Sequence, residues 1–480
     1  MSTELEKTTE LHETTERLGT DPLGRLLLRL SLPGIASMVT VSLYHLVDTF
    51  WVAKLGYQAI AALTITFPYF ILVIAVGVGT GVGANALASR RFGERNIEAT
   101  NQVAGQVFLL SVLLGAVFVM AAGFFAEPIL TIFGATPDII DMATGYLVVF
   151  SWATPFMLFR IMTGNVFRAS GDAIKPMIFY IVGAISNVIL DPFFIFGWGP
   201  FPEMGVRGAA LATVIATLLG AGLSFYYIIA RKSVYRLKLH HFRLRLPILA
   251  DIYRVGLPSI LMEVTESAVF VLFNRVLSGF GSVALAAIGI AMRVSDMAFM
   301  PIIGAGHGLL PIVGFSLGAR LWSRLWGAVR LASVGLVVLL AVATVVLEIF
   351  TPQTIAVFNS DPELLEIAIP GMRIFMSTLV LIGPSIMFIT TFQGLSKGKT
   401  AMVLSLARQF IFFVPVLLIL SRVMGLTGAW LSIPISDGLG TIVAGLWLFR
   451  EYKLQQRSGL WDAVPVAEAD SEARHSSQAS

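Results

Sequence analysis

Apolar residues in this chain come in long, unbroken runs rather than in one-sided stripes. From Leu26 onward, about twelve segments have the length of roughly 20 residues that a bilayer span needs. They lie near 26–52, 58–88, 100–125, 138–165, 174–198, 205–230, 249–277, 282–312, 326–349, 363–390, 399–422 and 426–450. Short polar connections separate them. The pattern predicts an all-α polytopic membrane protein with about twelve transmembrane helices, because a span in lipid must satisfy its backbone hydrogen bonds internally. A membrane barrel would instead show short alternating segments. Residues 1–24 are polar and acidic and read as a tail, without the basic start and apolar core of a cleavable signal. Residues 453–480 read as a second polar tail.

Composition agrees with the pattern. Hydrophobic residues are 56% of the chain and charged residues 13%, against about 25% charged in ordinary globular proteins. The absence of cysteine excludes disulfides and thiolate metal sites. A net charge of +4 says little until the charges are placed. One set of connections carries Arg90, Arg91 and Arg95, then Arg168 and Lys175, then six bases from Arg231 to Arg245. It continues with Arg320, Arg324 and Arg330, then Lys397 and Lys399. The alternate connections carry Glu127, Asp138, Glu203, Asp361, Glu363 and Glu366. The basic set belongs on the cytoplasmic side of a prokaryotic plasma (inner) membrane, with both termini. Bases spread over short connections do not form a nucleic-acid face.

The basic connection 231–247 divides the chain into halves, 25–230 and 248–452, that resemble each other. An offset of 225 takes Leu32-Pro33 onto Leu257-Pro258 and LGYQAIAALTI (55–65) onto FGSVALAAIGI (280–290). It takes Gly79, Gly81, Gly83 and Gly93 onto Gly304, Gly306, Gly308 and Gly318. After a five-residue deletion, MGVRGAALATVIA (204–216) falls on MGLTGAWLSIPIS (424–436). Each half holds six spans, an even number, so the repeats run parallel. Paired six-helix lobes of this kind are a transporter architecture. The segment GVGTGVGAN (77–85) is not a phosphate loop: no lysine or strand accompanies it, and small residues in an apolar helix permit close packing.

Ionisable residues inside the apolar runs are the candidate chemistry, since a carboxylate at mid-span costs about 2.5–3.5 kcal/mol on insertion scales. Asp191 ends such a run, Asn187 stands one helical turn before it on the same face, and Pro192 follows. Pro192 crowds the Val188 carbonyl and is expected to kink the helix, which makes it a candidate hinge. The set either staples helices or forms an ion or proton site. In the first span, Tyr44 and Asp48 share a face; Asp48 either caps the outer end of the span or lies near Asp191. Two carboxylates meeting in a low-dielectric pocket share a proton. With Asn187 and a hydroxyl from Thr213, the oxygens instead suit a small hard cation such as Na⁺. The offset of 225 puts Phe273, Phe412 and Val416 where Asp48, Asn187 and Asp191 stand. The second half therefore lacks this set, which favours a specialised role for the first. The second half has Glu263 and Glu266 on one face, His307 in a glycine-rich segment, Arg293 and Asp296 placed to pair, Arg408 and Asp437. Glu266 suits either a coupling role or a structural bond, and His307 suits packing better than proton relay.

NVILDPFFIFG followed by MGVRGAALAT resembles the fifth-to-sixth helix signature of multidrug and toxic compound extrusion (MATE) transporters, and VDTFWVAKLG, FRASGDAIKPM and the glycine-rich second helix agree. The resemblance covers residues 25–450 and is nearest the prokaryotic DinF-like branch. It implies two six-helix lobes in a V shape and efflux of amphipathic, cationic organic compounds driven by H⁺ or Na⁺. It implies that Asp48 and Asp191 are the coupling acids, with Asn187 and Thr213 beside them, and that Tyr44 and Tyr146 belong to the pocket. Glu266 matches an acid of the NorM-like branch, but that branch's tenth-helix aspartate has no counterpart among the apolar residues around Ile382. The expected partners are small organic molecules and the bilayer, with no nucleic acid, no cofactor beyond the coupling ion, no enzymatic activity, and a single chain as the working unit. A lipid-linked precursor flippase would need a cation-lined cavity for pyrophosphate, and such residues are sparse. An intramembrane aspartyl protease would need a GxGD motif, whereas VIL precedes Asp191.

The charge alternation predicts that a single cysteine at position 240 is shielded in intact cells from an impermeant thiol reagent added outside. It reacts once the membrane is opened; labelling from outside would reverse the topology.

Overall fold

The computed structural model describes residues 15–359, 361–459, 461 and 466, apart from the side chain of Ser282. The tail readings for 1–14 and for most of 460–480 lie outside the described residues. Within them every regular element is helical. The first half comprises α1 (Leu23–Ala53), α2 (Tyr57–Gly93), α3 (Ile97–Ile132), α4 (Ile140–Ser151), α5 (Thr154–Ala169), α6 (Ile174–Phe196) and α7 (Val206–Ile229). A short 3-10 turn, Leu239–Phe242, lies in the connection. The second half comprises α8 (Leu246–Ser278), α9 (Ser282–Gly318), α10 (Trp322–Ile349), α11 (Thr351–Ala356), α12 (Pro362–Met376), α13 (Leu379–Gly394), α14 (Gly398–Leu406) and α15 (Val414–Arg457). A π-helical segment, Ala407–Phe413, joins the last two.

Ten helical stretches are long and apolar enough to cross a membrane, and α4 with α5 makes another across a 48° bend. The continuous stretch Gly398–Arg457 contains two of the expected spans. Gly425 divides it with φ 62° and ψ −140°. Gly205, its counterpart in the repeat, has φ 55° and ψ −131° just before α7. Both glycines occupy backbone that side chains rarely adopt, so the same turn is made twice. About twelve spans therefore stand as expected, and the chain is a multi-pass membrane protein. The exposed surface agrees. Val338, Val342, Val345 and Ile349 form an exposed apolar stripe along α10, which suits lipid and not water.

The chain forms two compact units. The first contains Ala36–Phe92 and Asn96–Ile260; the second contains Leu18–Ile35, Gly93–Arg95 and the chain from Leu261 onward. Thus α1 up to Ile35 packs in the second unit, and α8 up to Ile260 packs in the first. The glycine repeat explains why. A Cβ on Gly79 would collide with Ile260, and one on Gly83 with the Ile252 carbonyl. In the second unit, a Cβ on Gly304 would collide with Ile35, and one on Gly308 with Ser31 and then Leu27. Every one of these pairs maps onto its counterpart by the offset of 225. Missing side chains let the two backbones touch, so van der Waals packing replaces the hydrophobic effect that lipid cannot supply.

Within the first unit the connection is bolted to α3. Gln106 Nε2 donates to the carbonyls of His241 (3.1 Å) and Arg243 (2.8 Å), and its Oε1 accepts from Arg245 N–H at 3.0 Å. His240 and His241 both place Nε2 at 2.9 Å from Glu98. His241 Nδ1 accepts from the Lys238 N–H at 2.9 Å, so its proton sits on Nε2 and faces the carboxylate. That tautomer suits a hydrogen-bonded clamp and not a metal ligand.

The repeat yields an asymmetric prediction. Gly83→Ala drives a methyl group into backbone that cannot yield, whereas the first obstacle at Gly308 is the movable Ser31 hydroxyl. Gly83→Ala should cost about 1–3 kcal/mol and Gly308→Ala distinctly less. Thermal midpoints of the purified proteins in detergent check the order, and equal losses would contradict it.

Candidate functional site

Helix α6 presents Asn187 and Asp191 one turn apart and remains helical through Pro192 to Phe196. Gly197 then ends it in the left-handed region, at φ 69°. The kink expected beside Asp191 is thus no break in the helix. Asp191 is fully buried, Asn187 is 1% exposed and Thr213, on α7, is 7% exposed. Asn187 Nδ2 donates to Asp191 Oδ1 and to Thr213 Oγ1, both at 3.3 Å. Thr213 in turn donates to the Ala209 carbonyl at 3.1 Å. The proton of each donor is thereby spent. Asp191 Oδ2, Asn187 Oδ1 and Asp48 Oδ1 are buried without a hydrogen-bond partner among the described residues. Buried acceptors left bare are costly, and three in one helix cluster form an oxygen-rich site open to a proton or a hard cation.

Asp48 reaches this cluster from α1, and its charge acts on Asp191. It opens onto a cavity of about 470 Å³ whose walls include Tyr44, His45, Phe70, Tyr146, Phe150 and Thr213. The cavity is aromatic along one side. Tyr146 and Phe150 stack with centroids 5.7 Å apart and ring planes at 11°, and Phe70 lies 5.9 Å from Phe150. Ring faces beside a carboxylate attract organic cations. The structure therefore brings together six of the residues singled out in the sequence. All six lie in the first unit: Asp48, Thr213, Tyr44 and Tyr146 line the cavity, and Asn187 and Asp191 are linked to it through the hydrogen bond to Thr213.

Among the described residues the second-unit candidates leave no comparable set of bare buried oxygens, although the charge of Glu266 acts on Glu263 and on Arg408. Glu263 and Glu266 are exposed on α8. His307 is half-buried, with its ring against Gly34. Arg408 and Asp437 form a buried ion pair at 2.8 Å, with side chains 14% and 7% exposed. Asp437 also accepts from Thr378. The pair leaves no carboxylate oxygen of Asp437 bare, although Arg408 Nε has no hydrogen-bond partner among the described residues.

One functional candidate escaped the sequence reading. Arg160 on α5 is buried, and its guanidinium carbon lies 4.0 Å from the centroid of the Tyr180 ring. The signal was present as a lone arginine inside TPFMLFRIMTGNVF. A single charge in an apolar run barely lowers its mean hydropathy, so attention to acids passed over it.

Comparison with known proteins bears on both halves. The MatE family model matches residues 33–193 and again 258–419. The two matches begin 225 residues apart, in the register of the repeat. The FAD transporter of Shewanella oneidensis is 26% identical over 417 residues, which is 87% of this chain and 92% of that protein. The multidrug export protein MepA of Staphylococcus saprophyticus is 24% identical over 424 residues, 88% of this chain and 93% of its own. A solved structure described as the outward-facing conformation of a multidrug resistance MATE family transporter of the MOP superfamily is 27% identical. It superposes with a TM-score of 0.87 over 92% of this chain and 98% of its own.

The two units differ in what their acids stabilise. Asp437→Asn strips the buried Arg408 of its counter-charge and should cost about 3–5 kcal/mol. Asp191→Asn keeps an oxygen for Asn187 and should change stability by about 1 kcal/mol or less. Thermal melts in detergent separate the two; a larger loss at Asp191 would make it the structural acid.

Proposed function

The chain belongs to the MatE family, and we propose that it is a secondary antiporter that expels amphipathic organic cations in exchange for H⁺ or Na⁺. The observation that carries this reading is the bare Asp191 oxygen, held by Asn187 and Thr213 behind the half-buried Asp48. A structural carboxylate would be expected to have both oxygens engaged, as Asp437 does in the second unit.

The exchange follows from repulsion. With no ion bound, two carboxylates share a region of low dielectric, where their charges are poorly screened. A proton or Na⁺ arriving through the large cavity relieves that repulsion and lets α1 and α6 draw together. Pro192 offers a joint, because the Val188 carbonyl lacks the amide partner it would otherwise have. Drawing the helices together narrows the cavity and releases the substrate; losing the ion on the other side restores it. The ion drives the cycle only if it prefers one of the two conformations, since equal affinity shifts no population.

The cavity supports an organic cation as cargo. Its volume lies in the drug-sized range, and its walls combine Asp48 with a stack of aromatic rings. Its lining has no lysine or arginine, which counts against the pyrophosphate of a lipid-linked precursor. A relative that carries FAD makes an anionic substrate the sharpest challenge to this assignment.

Proteoliposomes with separate pH and Na⁺ gradients test the proposal. Asp48→Asn and Asp191→Asn should insert and remain folded, yet lose gradient-driven efflux of an organic cation by about tenfold or more, the scale of a coupling free energy of ~1–3 kcal/mol. Glu266→Gln should retain most of it. Normal coupling in both Asp variants with a dead Glu266→Gln would move the site to the second unit. Export of FAD in place of ethidium would overturn the cationic substrate.

A further inference from the structure

Arg160 is a charge without a counter-charge. The residue is 8% exposed, and among the described residues it has no carboxylate within 4.0 Å and no hydrogen bond at Nε. Its described partner is the face of Tyr180. A cation buried this way is expensive, so something other than packing must keep it. The second unit makes the contrast. There Arg408 packs on Gly440 and is neutralised by Asp437. In the repeat register of 220, Gly440 corresponds to Gly220 and Asp437 to Thr217. Arg160 packs on Gly220. The two units thus hold a guanidinium at matching places, delivered from different helices, and the first has a threonine where the second has the neutralising acid.

Arg160 lines a second, small cavity together with Val41, Tyr44, Tyr180, Asn187 and Thr217. The space open to the centre of a water-sized sphere is about 20 Å³, room for a single water. Such a water can accept from Arg160 and donate to the bare Asn187 Oδ1, which puts the guanidinium one water from the amide that holds Asp191. Tyr44 and Thr213 wall both cavities, and the charges of Arg160, Asp48 and Asp191 all act on Tyr44. Relative to Asp191 and Thr213, Tyr180 and Thr217 lie three turns and one turn toward the helix ends that join the basic connections. Arg160 therefore stands between the acids and the basic end of the unit.

We infer that Arg160 is an electrostatic plug, whose fixed positive charge closes the basic-end side of the acid site to cations. An ion reaching Asp48 and Asp191 from the large cavity then cannot slip past them, and crosses only with the transport cycle. Fixed guanidinium charge excludes cations from narrow polar paths in the same way elsewhere. The inference rests on reading Asp48 and Asp191 as the ion site.

The test is a leak measurement in proteoliposomes without substrate, with the potential clamped by K⁺ and valinomycin. A luminal pH dye follows H⁺, and a Na⁺-sensitive dye follows Na⁺ in a parallel set. Arg160→Gln should dissipate the coupling ion's gradient several-fold faster than the parent, and Arg160→Lys should hold it as the parent does. Arg160→Gln combined with Asp191→Asn should also hold it, because the leak passes through Asp191. A monodisperse Arg160→Gln protein that holds the gradient overturns the plug, as does a double variant that leaks as fast as the single one. Arg160→Met serves as a second neutral variant; if both neutral variants aggregate while Arg160→Lys is monodisperse, the charge serves folding and the plug is overturned. Ethidium-driven ion flux in the parent reports separately on the ion site. Its absence removes both readings, while its presence beside a leak-free Arg160→Gln removes the plug alone.

Discussion

Asp191 lies in a helix that gives its carboxylate no water, and only one of its oxygens has a partner. That arrangement constrains the rest of the first unit. Asn187 must stand one turn away to hold the engaged oxygen, Thr213 must cross from α7 to orient the amide, and Thr213 must spend its own proton on the Ala209 carbonyl. The chain of donors runs in one direction and ends on backbone. It leaves acceptors bare on Asp191, Asn187 and Asp48. Bare buried acceptors of this kind are costly and suit a proton, a hard cation or a donating water.

The internal repeat shows how such a site can exist without unfolding its surroundings. The backbone crossings that hold each unit are the same in both. Gly79 and Gly83 meet α8 as Gly304 and Gly308 meet α1, residue for residue at the offset of 225. Gly205 and Gly425 make the same turn. Packing is therefore supplied by small residues whose energetics do not involve charge. The polar groups are free to differ, and they do: the second unit pairs Arg408 with Asp437, which Thr378 also holds, and the first leaves Arg160 without a carboxylate within 4.0 Å among the described residues.

Much of this was legible in the chain, for identifiable reasons. Span number follows from run length, because lipid imposes a minimum stretch of apolar helix. Asn187 and Asp191 are one turn apart in sequence, so their shared face needs no tertiary knowledge. Thr213 and Tyr146 are different. Nothing in local spacing assigns them to the site: Thr213 was a candidate only as a hydroxyl on the next span, and Tyr146 only through the resemblance of the surrounding motifs. The assignment of α1 and α8 to units was not legible at all. Each helix is one apolar run, and the division at Ile35 and Ile260 depends on which glycines its first half meets. That α6 stays helical past Pro192 was also hidden, since proline removes one hydrogen bond but does not say whether the helix continues beyond it.

Arg160 marks the limit most sharply. Read along the chain, Arg160 and Arg408 are both lone arginines in apolar helices, and nothing local distinguishes them. Their difference is made elsewhere, by whether position 217 or its counterpart 437 carries a carboxylate. In the second unit the acid is present and the pair is electrically closed. In the first it is absent, and the acids of the bare oxygen cluster lie beyond Tyr44 and Thr213, which wall both cavities. The first unit thus separates a fixed positive charge from two negative ones across a wall of hydroxyls. Such a separation costs folding energy that a paired arrangement would not, and it sets up a field directed from the guanidinium toward the two carboxylates. The ion pair that closes Arg408 on Asp437 has no counterpart around Arg160, so the field across the first-unit cluster persists where its equivalent in the second unit is cancelled close to its source.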